Sequence, residues 1–164
     1  MEVSATPLRI LVLDDHPMAR DAIRTALPFC QCAQPEIVGE AGDGATAIEL
    51  ARQLKPGVIT VDIGLPDISG LEVIRRLKAE KPQVEIVVVT LEEGRQSREE
   101  AVEAGAISYI TKKHLINELP GCLDRLEGQR SLHRAEGDQS ECGRLAHDRD
   151  RDPQDGDYDN VSCH

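Results

Sequence analysis

The chain is poor in aromatic residues, with one Phe, two Tyr and no Trp among 164 residues. Its core must therefore be filled by aliphatic side chains, which is common for small domains that combine helices with strands. The length suits one domain of ordinary size with an appended segment. The lack of aromatic residues thus excludes a ring-filled core but not a packed one.

The sequence also has no long apolar run. None approaches the roughly 20 residues that span a membrane, and the N-terminus lacks a secretory signal pattern. The five cysteines are odd in number and irregularly spaced, so the disulfide framework of a small secreted protein is not expected. We therefore expect a cytoplasmic protein with no membrane contact.

Positive charge is in short supply, since the formal net charge is −11 at pH 7. Residues 1–127 carry 14 basic and 21 acidic residues, and residues 128–164 carry 5 and 9, so neither part offers a basic face. Binding to nucleic acid or to an anionic membrane depends on Lys and Arg. This chain is therefore expected to bind no nucleic acid directly.

What the sequence does contain is a strand pattern and a helix pattern that alternate five times. The predicted strands cover residues 9–13, 36–41, 58–61, 86–89 and 107–111. Apolar residues at helical spacing predict a helix after each strand, with Pro17 in the first turn of the first helix and Ser69 capping the third. This alternation predicts an α/β fold with a parallel sheet.

The fifth helix and the segment after it are irregular. Pro120 falls among leucines at helical spacing, and a proline deep in a helix costs about 3 kcal/mol. With Asn117 as N-cap, Pro120 lies in the first turn, which predicts a helix of about ten residues. Residues 128–164 are rich in charge and poor in aliphatic side chains. They predict a disordered acidic tail or the remnant of a lost effector domain.

Ionisable residues and one hydroxyl mark the ends of four predicted strands. Asp14 and Asp15 follow the first strand, Asp62 the third, Thr90 ends the fourth and Lys112 follows the fifth. The carboxyl ends of parallel strands meet at one edge of the sheet. Three carboxylates cannot share a pocket fully ionised unless a cation joins them, and Mg²⁺ is the natural hard partner for oxygen ligands. The combination predicts a site for phosphate.

These residues lie in motifs that resemble the receiver domain of bacterial two-component response regulators. The motifs are Leu13-Asp14-Asp15-His16-Pro17, the run VDIGLPDISG at residues 61–70, Thr90, and Tyr109-Ile110-Thr111-Lys112. The resemblance covers about residues 7–127 and implies a flavodoxin-like, doubly wound sheet of five parallel strands in the order 2-1-3-4-5. The Asp-Asp-His-Pro form is similar to NarL/FixJ-type regulators. Those usually carry a helix-turn-helix output domain, and residues 128–164 show no such pattern.

The same resemblance implies a role for each site residue. Asp62 would accept a phosphoryl group from the phosphohistidine of a sensor histidine kinase, and Lys112 would neutralise the phosphoryl oxygens. Asp15, Asp62 and the backbone carbonyl of Gly64 would bind Mg²⁺ directly, whereas Asp14 would act mainly through water.

A hydroxyl and an aromatic ring would form the switch in such a domain. Thr90 would bind the new phosphoryl oxygen, and the ring of Tyr109 would turn inward. The face of the fourth helix, fifth strand and fifth helix would then bind a second copy or a partner protein. His16 is expected to be exposed beside the site and is given no catalytic role.

Two other classes remain open. A phosphatase of the haloacid dehalogenase type also uses Asp and Mg²⁺, but residues 13–16 do not supply its Asp-x-Asp motif. A pseudo-receiver, which binds partners without phosphorylation, is suggested by the bulky Leu91 after Thr90 and by the short fifth helix. The favoured interpretation is a receiver that catalyses its own phosphorylation and dephosphorylation without acting on a metabolite. Its parent family usually regulates transcription.

Overall fold

The structure, a computed structural model, describes residues 6–31 and 33–149, with side chains up to Arg134. Its sheet has five parallel strands in the order β2-β1-β3-β4-β5, which confirms the predicted fold class. The strands are β1 (Leu8–Leu13), β2 (Pro35–Ala41), β3 (Val58–Val61), β4 (Glu85–Thr90) and β5 (Ser108–Thr111). All four residues of β3 are buried, because helices cover both faces of the sheet.

Five α-helices and two short 3₁₀ helices connect and follow the strands. The α-helices are α1 (Pro17–Ala26), α2 (Gly44–Leu54), α3 (Gly70–Glu80), α4 (Arg95–Ala104) and α5 (Leu115–Arg149). The 3₁₀ helices cover Leu27–Phe29 and Lys112–His114. None of the helices that the structure describes is long and apolar enough to cross a membrane.

The core lies in two clusters, one on each face of the sheet. Side chains of β1 alternate between them, since Leu11 and Leu13 join the cluster with α2 and α3, whereas Ile10 and Val12 join the cluster with α1 and α5. This alternation is the period of two that a β-strand imposes. The two clusters hold the strands rigidly, so that their carboxyl ends form a fixed edge.

Helix starts agree with the two sequence signals given for them, Pro17 for the first helix and Ser69 for the third. Pro17 opens α1, the Asp43 side chain accepts from the backbone of Thr46 at the start of α2, and the Ser69 hydroxyl accepts from the backbone of Leu71 at the start of α3. The Asp43 and Ser69 side chains satisfy backbone N–H groups that have no partner within the helix, whereas Pro17 has no N–H to satisfy. Two of these helix starts, those of α1 and α3, stand directly beside the predicted site.

The prediction for α5 is wrong. The helix begins at Leu115, not after an N-cap at Asn117, and Pro120 lies inside it. Leu115 is 2% exposed and Leu119 is fully buried, and burial of such side chains contributes about 1.5–3 kcal/mol each. Their packing therefore offsets the roughly 3 kcal/mol that an internal proline costs.

Contacts divide the chain into two units, residues 1–127 and 128–164. Residues 128–149 are described as helix, whereas the sequence predicts a disordered tail from residue 128. An α-helix can form there because its hydrogen bonds are local and need no core, although isolated helices are marginal in water. Disorder of this segment in solution stays a prediction, and residues 150–164 lie outside the described residues.

Candidate functional site

The register of the central strands brings the predicted site residues to one edge of the sheet. Leu13 at the end of β1 is aligned with Val61 at the end of β3, and the backbone N–H of Asp62 donates to the carbonyl of Leu13 over 3.0 Å. Asp14 and Asp62 therefore follow neighbouring strands at the same level. Both carboxylates are buried, with the residues only 1% and 4% exposed.

Lys112 joins these two carboxylates. It follows β5, which is separated from β3 in the sheet by β4. Its Nζ lies 2.8 Å from Asp14 Oδ2 and 2.9 Å from Asp62 Oδ2. Burial disfavours the charged ammonium group, but the Asp14 and Asp62 carboxylates outweigh that effect and raise the pKa of Lys112. The lysine is therefore a fixed positive charge at neutral pH.

Both carboxylate oxygens of Asp62 and its backbone carbonyl are in close contact with neighbouring residues. Oδ1 accepts the backbone N–H of Gly64 over 3.1 Å, while Oδ2 faces Lys112. Helix α3 begins at Gly70, where an added Cβ would lie 2.4 Å from the carbonyl oxygen of Asp62. Only glycine allows the helix to start this close to the strand end.

The acidic cluster, which we define as Asp14, Asp15 and Asp62, suits a hard cation. One carboxylate oxygen from each residue and a ring nitrogen of His16 lie within 4.8 Å of one another. Asp14 Oδ2 and Asp15 Oδ1 are buried without a hydrogen bond, although both lie in ion-pair contact, with Lys112 and His16 respectively. Buried carboxylate oxygens turned toward one point match the oxygen ligands that Mg²⁺ prefers.

The predicted switch residues, Thr90 and Tyr109, are both hydrogen-bonded to the backbone of Glu92. Thr90 Oγ1 accepts the N–H of Glu92 over 3.3 Å, and the Tyr109 hydroxyl donates to the carbonyl of the same residue over 2.9 Å. The Tyr109 ring is 7% exposed and lies 5.1 Å from the Arg98 guanidinium carbon. Burial, with the Glu92 charge, raises the pKa of Tyr109, so its hydroxyl remains a donor.

Three residues near the site were given no role by the sequence. His16 lies with the acidic cluster, as its place in the motif allows, although its ring is exposed as expected. Arg20 donates to the carbonyl of Asp14 over 2.6 Å, one helical turn beyond that motif. Asp67 accepts the backbone N–H of Gly44 over 2.9 Å, and no sequence signal connects two residues so far apart.

Comparison with known proteins decides the family. The model of the response regulator receiver domain matches residues 10–124, which is most of this chain. The chain belongs to this family. As a receiver domain, it is the signal-receiving component of a phosphorelay, and the resemblance seen in the sequence is confirmed.

Two curated relatives are response regulators that are longer than this chain. GacA from Pseudomonas aeruginosa is 36% identical over 126 residues, which are 76% of this chain and 58% of that protein. The nitrate/nitrite response regulator NarP from Escherichia coli is 34% identical over 108 residues, which are 66% of this chain and 49% of that protein. The chain thus spans about half the length of these relatives.

Solved structures agree with this fold. A LuxR-family two-component response regulator from Aurantimonas is 28% identical with a TM-score of 0.69, and the match covers 76% of this chain and 87% of that one. The response regulator domain of Thermotoga maritima CheB is also 28% identical, with a TM-score of 0.67 over 75% of this chain and 98% of that one. Similarity to a LuxR-family regulator agrees with the subtype predicted from Asp-Asp-His-Pro.

Proposed function

We propose that Asp62 is the phosphoacceptor of this receiver and takes its phosphoryl group from the phosphohistidine of a sensor histidine kinase. The observation that carries the proposal is the meeting of a buried Asp62 with Lys112 Nζ at 2.9 Å, at an edge with two further carboxylates. A carboxylate oxygen of Asp62 forms the new bond to phosphorus while the bond from phosphorus to the imidazole nitrogen breaks. The imidazole leaves with its electron pair and takes up a proton.

Charge neutralisation and positioning supply the catalysis, since phosphoryl transfer needs little other chemistry from the protein. Lys112 would stabilise the negative phosphoryl oxygens, and its raised pKa keeps it charged. The Thr90 hydroxyl, at the end of β4, would donate to one of these oxygens. Signal output then follows from the rearrangement of Thr90, Glu92 and Tyr109, which are already connected by hydrogen bonds.

Asp15, Asp62 and the carbonyl of Gly64 would hold Mg²⁺, with Asp14 acting through water. When bound, the ion neutralises the charge of the carboxylates and of the incoming phosphoryl group. The buried, unbonded oxygens of Asp14 and Asp15 support this assignment. The Gly64 N–H already donates to Asp62, so the loop after β3 is held against the site.

Output would pass through the face formed by α4, β5 and α5, to a second copy or to a partner protein. The output would be control of transcription in the cytoplasm, and the support for it is that relatives are named as transcriptional regulators. This chain by itself would bind no nucleic acid, because its net charge is −11. The two arguments for a pseudo-receiver are weakened, because Leu91 is 67% exposed and the 35-residue α5 is not a short fifth helix.

The phosphoacceptor can be tested with acetyl phosphate or phosphoramidate and Mg²⁺, measuring labile phosphoryl groups by intact mass. The wild-type chain is expected to gain one group, and Asp62→Asn to gain none. Asp21→Asn is the matched control, because Asp21 lies exposed on α1 away from the acidic cluster. Asp15→Asn should weaken Mg²⁺ binding. Undiminished labelling of Asp62→Asn would overturn the assignment.

A further inference from the structure

The ring of His16 lies over the acidic cluster. Its Nδ1 is 3.0 Å from Asp15 Oδ1, 3.3 Å from Asp14 Oδ1 and 3.9 Å from Asp62 Oδ2. One ring nitrogen therefore faces carboxylates from three residues that follow two different strands. A single N–H can donate well to only one of these oxygens, so hydrogen bonding alone does not account for the arrangement.

The three distances from His16 Nδ1 fall within the span of ligands around one ion. An octahedral ion with bonds of about 2.1 Å has adjacent ligand atoms about 3.0 Å apart and opposite ones about 4.2 Å apart. The distance from Nδ1 to Asp15 Oδ1 matches adjacent positions, and the distance to Asp62 Oδ2 approaches an opposite one. Asp15 Oδ1 is in addition a buried oxygen that faces the His16 ring nitrogen.

Hydrogen bonds fix the backbone of His16 in the position that brings its ring to the acidic cluster. Its N–H donates to Asp14 Oδ1 over 2.9 Å, and its carbonyl accepts from the N–H groups of Ala19 and Arg20 in α1. The side chain makes no cap hydrogen bond to the helix, and its Nδ1 faces the carboxylates of Asp14 and Asp15 instead. The His16 side chain is 58% exposed, which leaves the approach to the site open to solvent.

We propose that His16 adds a nitrogen ligand to the cation site and makes it selective for divalent first-row transition ions over Mg²⁺. This rests on the proposed function, which places a divalent cation at the acidic cluster. Imidazole binds ions such as Fe²⁺, Co²⁺ and Ni²⁺ more strongly than it binds Mg²⁺, which prefers oxygen. Where both kinds of ion are present, the receiver would therefore take up the transition ion in preference to Mg²⁺, with His16 setting this preference.

The experiment titrates the full chain with MgCl₂ and separately with CoCl₂, following amide NMR signals of residues 13–15 and 62–64. These signals report binding at this site, apart from any binding to the cysteines and histidines after residue 128. His16→Ala is expected to weaken Co²⁺ binding at least tenfold and to change Mg²⁺ binding less than twofold. The backbone N–H that fixes Asp14 is retained in this variant.

His114→Ala is the matched control, because His114 is an exposed imidazole in the 3₁₀ helix after β5 and outside the cluster. It should bind both ions like the wild type. Equal Co²⁺ affinity in wild type and His16→Ala would overturn the proposal. So would an equal loss of Co²⁺ and Mg²⁺ affinity, because His16 would then only position Asp14. If the wild type bound neither ion, the cation site of the proposed function would fail instead.

Discussion

At the residue scale, Gly70 sets how closely α3 approaches the strand that carries Asp62. An added Cβ would lie 2.4 Å from the Asp62 carbonyl oxygen and 2.6 Å from the Cα of Ile63, and both contacts are with backbone that cannot swing away. At Gly64, in the same loop, the nearest atom would be 3.8 Å away. The two glycines thus make a natural pair for comparison.

Gly70→Ala is expected to lower the free energy of unfolding by about 1–3 kcal/mol, the usual range for overpacking, and to slow phosphorylation by displacing Asp62. Gly64→Ala should change stability much less. Urea unfolding and acetyl phosphate labelling measure the two effects. A Gly70→Ala variant as stable and as reactive as Gly64→Ala would contradict the close approach.

Thr90 is expected to couple phosphorylation to Tyr109 through its hydroxyl, since both residues bond to Glu92. Thr90→Ala should accept phosphate almost as well as the wild type, yet its NMR shifts around Tyr109 on beryllofluoride binding should fall by more than half. Thr90→Ser keeps the hydroxyl and should respond normally. Equal responses in Thr90→Ala and wild type would count against the coupling.

At the element scale, two carboxylates cap the start of α2 from different directions. Asp43, next to the helix, accepts the N–H of Thr46, whereas Asp67 comes from the loop after β3 and accepts the N–H groups of Gly44 and Ala45. Both satisfy helix N–H groups. Of the two, only Asp67 also connects the loop after β3, which contains Asp62 and Gly64, to the start of α2.

Asp67→Ala is therefore expected to slow phosphorylation about tenfold, because small misplacements of reacting groups are costly, while Asp43→Ala should slow it far less. Labelling rates with phosphoramidate compare the two variants. Circular dichroism checks that α2 survives in both. Similar rates for both variants would show that the tie does not position the loop.

The same contact has a pH dependence. Backbone hydrogen bonds, first that from Gly44, hold the pKa of Asp67 below its ordinary value of 3.8. A carboxyl with a lowered folded pKa stabilises the fold above its unfolded pKa, and this contribution is lost as pH falls through the folded pKa. In Asp67→Asn, the free energy of unfolding should therefore fall less steeply as the pH drops below about 4. Near neutral pH, its dependence on pH should be the same as in the wild type.

Most of the helices and strands, and the sheet edge that carries the site, could be predicted from the sequence because they depend on local patterns. The apolar run of β4 and the cap at Ser69 are local signals, and parallel topology then brings Asp14 and Asp62 together. The start of α5 could not be foreseen, because it depends on how deeply Leu115 and Leu119 are buried. The contact of Asp67 with Gly44 likewise depends on tertiary geometry, which no spacing reports.

At the scale of the whole molecule, residues 1–127 and 128–164 are separate units by their contacts, and the core clusters contain no residue beyond Leu126 among those described. The second unit has a few aliphatic side chains and 9 acidic residues against 5 basic ones. A helix that continues without a core gains little from burial and is only marginally stable in water.

Removal of residues 128–164 is therefore expected to leave phosphorylation of Asp62 unchanged and to alter the urea midpoint little, since none of the described core side chains comes from this segment. Amide hydrogens of residues 129–149 should exchange nearly without protection, whereas those of β3 and β4 should exchange only on global unfolding. Hydrogen exchange by NMR on the full chain measures both. Strong protection beyond residue 128, or loss of phosphorylation on truncation, would show that this segment belongs to the folded receiver.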